Sequence, residues 1–239
     1  MEDNIRRKIE LSGSSLKLIA IITMFIDHVG AILIEPVLRT TPSWKQGPIL
    51  WGFSVSELHR INMVLRLIGR LAFPIFTFLL VEGFLHTRNK KNYLLRLSAF
   101  AFLSEIPFDL ARSRVFFDFS YQNVYFTLAI GMAVMWGMQV YANSPGKWLS
   151  PVAGMGLAIL LQSDYSWYGI GLIVIHYLIH QSHKNIGKVV LACWLSAQYT
   201  AVLALIPIHW YNGQRGLPLR YIFYWFYPVH LLILYFIAT

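Results

Sequence analysis

Long apolar stretches separated by short polar connections run along almost the whole chain. Residues 16–34 contain Lys17, Asp27 and His28 and are otherwise almost wholly apolar. As an α-helix these 19 residues rise about 28 Å, which matches a hydrocarbon core of roughly 30 Å. The pattern recurs and predicts eight transmembrane helices, at residues 16–34, 63–86, 93–111, 123–141, 148–163, 165–180, 187–209 and 217–237.

No linker, repeat or low-complexity tract divides these segments, so the sequence predicts one all-α transmembrane bundle, a single domain over residues 1–239. The longest connection, residues 35–62, is predicted to lie at the membrane interface. Composition agrees, because 56% of residues are hydrophobic, 13% are charged and the mean hydropathy is +0.53. Soluble domains are about a quarter charged. The chain is therefore predicted to be a multi-pass protein of the cell (plasma or inner) membrane.

The formal charge of +9 comes mostly from basic residues in the short connections, where positive charge sets membrane orientation. This disfavours a nucleic-acid partner. With the amino terminus inside, eleven lysines and arginines fall at inner positions and seven at outer ones, which predicts both termini in the cytoplasm. Cys193 is the only cysteine, so an intrachain disulfide and a four-cysteine metal site are excluded.

Several ionisable side chains lie inside the predicted spans, where a charge costs about 2.5 kcal/mol or more at the bilayer centre. Helical rise counted from the span ends puts His28, Arg70 and Glu105 in one layer of the outer half of the membrane. His28 and Asp27 are helix neighbours that point about 100° apart, so they cannot face each other. We therefore expect Glu105 to orient His28, and Arg70 or Arg66 to pair with Asp27.

These charges could form a buried ion-pair network that only fixes helix packing. A functional site is favoured because a histidine lies among them, and ionisable groups inside a membrane indicate function by default. His230 lies deeper, beside Pro228, which is expected to bend the last span. Residues 210–216 form a predicted turn that could shape an outer substrate mouth. The predicted substrate-binding residues are Arg66, Tyr211, Asn212 and His230.

Three histidines, His176, His180 and His183, have a spacing that metals can use. No acid accompanies them, so we interpret them as an interfacial polar stripe and expect no metal. Metalloprotease, serine-hydrolase and Walker motifs are all missing from the sequence, which disfavours a membrane protease or an ATPase.

Nine short motifs in this order resemble the TraX family, at residues 16–20, 24–28, 70–78, 82–89, 104–109, 123–128, 163–169, 210–213 and 226–230. The founding member of that family acetylates the amino terminus of a conjugative pilin. The resemblance extends distantly to acyltransferase-3 proteins and heparan-α-glucosaminide N-acetyltransferase, which use acetyl-CoA and a histidine in their first spans. Lys17 and His28 match the order and spacing of the arginine and histidine of acyltransferase-3 proteins. Glu82 and Gly83 depart from the serine-glycine those proteins tend to have.

The resemblance implies transfer of an acetyl group from cytosolic acetyl-CoA to an amine or hydroxyl on an extracytoplasmic peptide or glycan. His28 would act as general base or carry the acetyl group transiently, and Arg70 would neutralise oxyanion charge or bind the acceptor. Asp27 and Glu105 are the other predicted catalytic residues. The phosphates of acetyl-CoA need cations at the inner face. The predicted donor-binding residues are Lys17, Arg88, Lys90 and Lys91, together with Glu82.

Two other functions compete with acetyl transfer. A transporter could use Asp27, Arg70 and Glu105 as a proton or substrate relay, and acetyl-CoA hydrolysis or transfer by purified protein discriminates it from an acetyltransferase. A non-enzymatic assembly factor would bind no acetyl-CoA. A homo-oligomer is compatible with all three functions.

Overall fold

The computed structural model describes residues 10–45, 47–182, 191, 194, 199–218 and 220–239. Within these ranges the protein is helical, with isolated bridges and no strand, which confirms the predicted all-α class. The elements are α1 Gly13–Val29, a π-helical turn Gly30–Ile34, α2 Glu35–Thr40, α3 Val55–Gly69, α4 Ala72–His86, α5 Lys90–Ser113, α6 Val124–Val140, α7 Gly146–Leu160, α8 Ser166–Ser182, a 3₁₀-helix Tyr199–Ala204, α9 Leu205–His209 and α10 Arg220–Ala238.

Three of the helices described are long and apolar enough to cross a membrane, at Gly13–Thr40, Val55–His86 and Tyr221–Ala238. Shorter apolar helices add Val124–Val140 and Thr200–His209. This pattern supports the predicted membrane protein. Residues 187–190, 192, 193 and 195–198 of the predicted span 187–209 lie outside the described part of the chain, as do the basic residues of 1–9 and 183–190.

The connection predicted over 35–62 is shorter than expected, because the first helix continues to Thr40 and α3 begins at Val55. A capping box starts α3, where Glu57 Oε2 accepts hydrogen bonds from the Ser54 amide at 2.9 Å and the Ser54 hydroxyl at 2.6 Å. The first turns of α3 are polar, so hydropathy alone starts the span too late.

We call the end of the bundle where α1 begins the proximal end, and the opposite end, towards which α1 runs, the distal end. Helix α10 runs parallel to α1, because Lys17 lies over the Phe223 ring near the proximal end and His28 meets His230 further along. At the distal end Arg114, which follows α5, donates to the carbonyl of Ala238 at 3.0 Å. The last helix therefore ends at the distal end.

The chain returns to the proximal end before α10 starts. His180, near the end of α8, contacts Glu82 at 3.2 Å, and the amide of Leu11 donates to the carbonyl of Trp210 at 2.8 Å. Residues 180 and 210 thus lie at one end, whereas a single crossing over 187–209 would separate them. The start of α1 and the end of α10 thus lie on opposite faces of the bundle, which disagrees with the prediction that both termini lie in the cytoplasm.

Candidate active site

A cavity of about 590 Å³ extends through the bundle from its proximal end. Its volume lies within the range of small-molecule and cofactor sites. The proximal part of its wall contains polar side chains from α1, α4, α5 and the turn before α10, namely Lys17, Glu82, Arg96, Tyr211 and Arg215. The deeper part contains Asp27, His28 and Asp164 among aromatic rings. The cavity therefore joins a charged opening to the predicted histidine.

A pair of histidines closes the deep part of the site. His28 Nδ1 lies 2.6 Å from His230 Nε2, and His230 Nδ1 lies 2.7 Å from the carbonyl oxygen of Phe226. A carbonyl oxygen only accepts, so His230 Nδ1 donates and neutral His230 accepts at Nε2. His28 must then donate through Nδ1. Its Nε2 keeps an unprotonated lone pair, and it is His28, not His230, that lines the cavity.

The surroundings of His230 hold it in this geometry. The residue is 3% exposed, and its ring stacks on Phe226 with centroids 4.7 Å apart. The sequence assigned His230 to substrate binding, but its side chain is buried behind His28. It is placed to position His28 rather than to contact a substrate.

The expected contact between Glu105 and His28 is not formed. Helix α10 packs against both α1 and α5 and lies between them, so His230 occupies the place that Glu105 was expected to take. Glu105 instead accepts a hydrogen bond from the Asn123 side chain, which also donates to the carbonyl of Ala101 at 2.7 Å. Glu105 therefore links α5 to the start of α6.

Asp27 pairs with one of the two arginines predicted for it. Arg66 Nη1 donates to Asp27 Oδ2 at 2.6 Å, and both side chains are less than one-third exposed. The pair joins α1 to α3. Gly69 makes this approach possible, because a Cβ atom there would overlap the Asp27 carboxylate. Arg66 is a partner of Asp27 here rather than a residue of the cavity wall.

A π-helical turn follows the Asp27–His28 pair directly, over Gly30–Ile34. Such turns occur often at functional sites, since the extra residue changes which side chains face a neighbouring helix. Gly30 packs against α3, where a Cβ atom would come within 2.6 Å of Asn62 Oδ1 and 3.3 Å of Leu65 Cβ. Two glycines on two helices thus bring α1 and α3 together around the Asp27–Arg66 pair.

Arg70 lies at the break between α3 and α4, within electrostatic range of both Asp27 and Asp164. Its predicted depth beside His28 fits this position, although it does not line the cavity. Asp164, which we did not single out from the sequence, does line the cavity and accepts a hydrogen bond from the Tyr121 hydroxyl at 3.0 Å. Two carboxylates and two arginines thus surround the deep site.

Glu82 organises the proximal part of the wall. Its Oε1 lies 3.2 Å from His180 Nδ1 and its Oε2 lies 3.7 Å from His86 Nδ1. Tyr211 is a third neighbour, and burial together with the Glu82 carboxylate raises the pKa of Tyr211 to about 12. Glu82 therefore holds three side chains at the proximal end.

Tyr211 and Asn212 were predicted at an outer substrate mouth, and the structure places them at the proximal end of the bundle, where α1 begins. The amide of Asn212 donates to the carbonyl of Leu11 at 3.0 Å, so the turn lies against the start of α1. The reason is the return of the chain to the proximal end before residue 210. Tyr211 lines the opening of the cavity at the end where a cytosolic donor was expected.

The predicted donor cations separate into two groups. Lys17 lines the cavity, whereas Arg88, Lys90 and Lys91 do not. Arg88 and Lys91 are exposed, and Lys90 Nζ lies 5.0 Å from the centre of the Phe84 ring. Two arginines that the sequence analysis did not assign to the donor, Arg96 and Arg215, line the opening instead.

Comparison with known proteins places the chain in a family. The sequence model of the family described as TraX protein matches residues 12–238, nearly the whole chain. The chain belongs to the TraX family. The resemblance predicted from its motifs is thereby confirmed, while the more distant likeness to acyltransferase-3 proteins stays a prediction.

One curated relative of this TraX-family chain is the probable fimbrial assembly protein FimC, serogroup H1, of Dichelobacter nodosus. It is 29% identical in an alignment that covers 95% of this chain and 96% of the relative. No solved structure matches the chain.

Proposed function

We propose that this TraX-family protein is a membrane acetyltransferase that uses acetyl-CoA as donor. The observation that carries the proposal is the His28–His230 pair, which leaves an unprotonated His28 Nε2 at the deep end of a cavity with a cationic opening. Family membership and a relative named as a fimbrial assembly protein support a role on a surface protein. We therefore propose a peptide amine, such as that of a pilin, as the acceptor, with a glycan hydroxyl as the alternative.

The dimensions of the cavity fit a donor that enters from the proximal end. His28 lies eleven residues after Lys17 on one helix, a rise of about 16 Å. An extended pantetheine chain has this length scale, so phosphates held near Lys17 would bring the thioester to His28. With the amino terminus in the cytoplasm, the proximal end faces the compartment that holds acetyl-CoA.

Acetyl transfer then needs a base that removes a proton from the acceptor and later donates it to the leaving CoA thiolate. His28 Nε2 removes the proton from the acceptor nitrogen or oxygen as that atom attacks the thioester carbonyl carbon. The tetrahedral intermediate collapses with cleavage of the carbon–sulfur bond, and the imidazolium returns its proton to the CoA thiolate. His230 accepts the Nδ1 hydrogen bond of His28 throughout. Arg66 pairs with Asp27, and Arg70 lies within electrostatic range of Asp27 and Asp164, so both arginines influence the site through these carboxylates.

Calorimetry on the purified protein tests the donor. Acetyl-CoA should bind, and its affinity should fall as salt rises from low to physiological ionic strength, since cations at the opening attract its phosphates. His28→Ala should bind acetyl-CoA as the wild type does. Absence of any binding to CoA and acetyl-CoA would contradict the proposal and favour a transporter or an assembly factor.

A further inference from the structure

We infer that three cations from three separate segments, Lys17, Arg96 and Arg215, bind the phosphates of a CoA thioester at the opening of the cavity. This rests on the proposed function and deepens it. It replaces the surface cluster of Arg88, Lys90 and Lys91 as the phosphate site, because those residues do not line the cavity.

Arg96 and Lys17 each lie against an aromatic ring. Arg96 lies two turns inside α5, with its guanidinium carbon 5.6 Å from the centre of the Tyr93 ring. Its Nε atom is buried and has no hydrogen-bond partner among the described residues. Lys17 Nζ lies 5.5 Å from the centre of the Phe223 ring. An aromatic face holds a cation in place without neutralising it as a carboxylate would, so the charge of Arg96 acts on an anion in the cavity.

Backbone hydrogen bonds fix the turn that contains Arg215. The amide of Gly13 donates to the carbonyl of Gln214 at 2.7 Å, and the amide of Ser14 donates to the carbonyl of Arg215 at 3.1 Å. Gly216 follows with φ +70, and a Cβ atom there would overlap the Ser14 hydroxyl. The turn is thus tied to the start of α1, and an exposed arginine is fixed at the edge of the opening.

The charges at the opening of the cavity complement those of a CoA thioester. The only carboxylate that lines the proximal wall in the described part of the chain is Glu82, and it is engaged with His180 and His86. Three cations surround the opening, and a CoA thioester carries a diphosphate and a further phosphate. Arginine binds phosphate oxygens through two parallel hydrogen bonds, which suits a diphosphate better than a point charge does.

Binding measurements with two donors separate phosphate recognition from thioester recognition. We would measure the affinity of acetyl-CoA and of S-acetylpantetheine, which has no phosphate, for the purified full-length protein in detergent. The variants are Arg96→Gln and Arg215→Gln, with Arg88→Gln as the matched control on the exposed cluster. Arg215 lies on an exposed turn, so its variant decides the question if Arg96→Gln fails to fold.

We expect Arg96→Gln and Arg215→Gln each to weaken acetyl-CoA binding by about 10- to 100-fold and to leave S-acetylpantetheine affinity unchanged. Arg88→Gln should leave both affinities unchanged. The inference is overturned if Arg88→Gln weakens acetyl-CoA binding and the other two do not, or if they weaken both donors equally. Wild-type protein that binds neither donor would instead refute the proposed function itself.

Discussion

Removing the acceptor nitrogen of His230 tests the histidine pair most sharply. His230→Phe keeps a planar ring in the buried position between Phe226 and His28 but accepts no hydrogen bond. The Nδ1 hydrogen of His28 then loses its partner, and the ring is free to turn or to move its proton to Nε2. An unpaired buried donor costs about 1–3 kcal/mol. Applied to the transition state, this loss lowers turnover by about 5- to 150-fold.

The assay uses inside-out membrane vesicles from the native host, in which the gene is deleted and each variant is restored. Labelled acetyl-CoA is added outside, and label in acid-precipitable material is counted per mole of folded protein. His230→Gln is the rescue variant, because its side-chain oxygen lies near the position of Nε2 and accepts a hydrogen bond. We expect His230→Gln to recover most of the turnover lost in His230→Phe.

A matched control separates positioning from packing. His176 is similarly buried, at 5% exposed, with Nδ1 3.1 Å from the Thr77 hydroxyl oxygen, and it does not line the cavity. His176→Phe should lower the melting temperature as His230→Phe does and should leave transfer per folded protein near the wild-type value. Equal losses of transfer in both variants, or no rescue by glutamine, would refute the assigned role of His230.

Three further predictions concern packing, a distal loop and topology. In Gly69→Ala the new Cβ atom should overlap Asp27, lower the free energy of unfolding by about 1–3 kcal/mol and lower the melting temperature. In Gly156→Ala the new Cβ atom meets nothing within 4 Å, so the melting temperature should not fall. Hydrogen bonds from Ser113 and Ser120 lower the pKa of Asp118 to about 2. Amide exchange should therefore show that the 113–120 loop is protected above pH 4 and opens as the pH falls towards 2. In Asp118→Asn the loop should already be open at neutral pH. Equal protection of the loop in the wild type and in Asp118→Asn would contradict this. Reporters fused to the two termini should lie on opposite sides of the membrane; reporters on one side would contradict the helix order.

The all-α class follows from hydropathy, because apolar segments long enough for helices recur along the chain and some of the connections carry polar capping residues. Asn89 and Asn123 cap the starts of α5 and α6, close to the predicted boundaries. The topology after α8 did not follow from the sequence. Hydropathy gives the length of an apolar segment, and the apolar run at 187–209 does not reveal on which side the chain leaves it.

The candidate site was partly predictable in the same way. Helical rise gives the depth of a side chain, so it brought Asp27 and Arg66 within reach of each other. Depth does not show which helices pack side by side. Glu105 was therefore expected in the position beside His28 that His230 occupies. Asp164 lies in a short turn between two predicted spans, so helical rise along a span gives no depth for it.

The role of His28 as the base for acetyl transfer is tested by comparing the wild-type protein with His28→Ala. Wild-type protein and His28→Ala would be measured in the same vesicle assay, with the acetyl-CoA affinity and melting temperature of each taken from one preparation. We expect His28→Ala to transfer label at least about 10²-fold more slowly per mole of folded protein, with nearly unchanged donor affinity. If His28→Ala transfers label at a near wild-type rate, His28 is not the base.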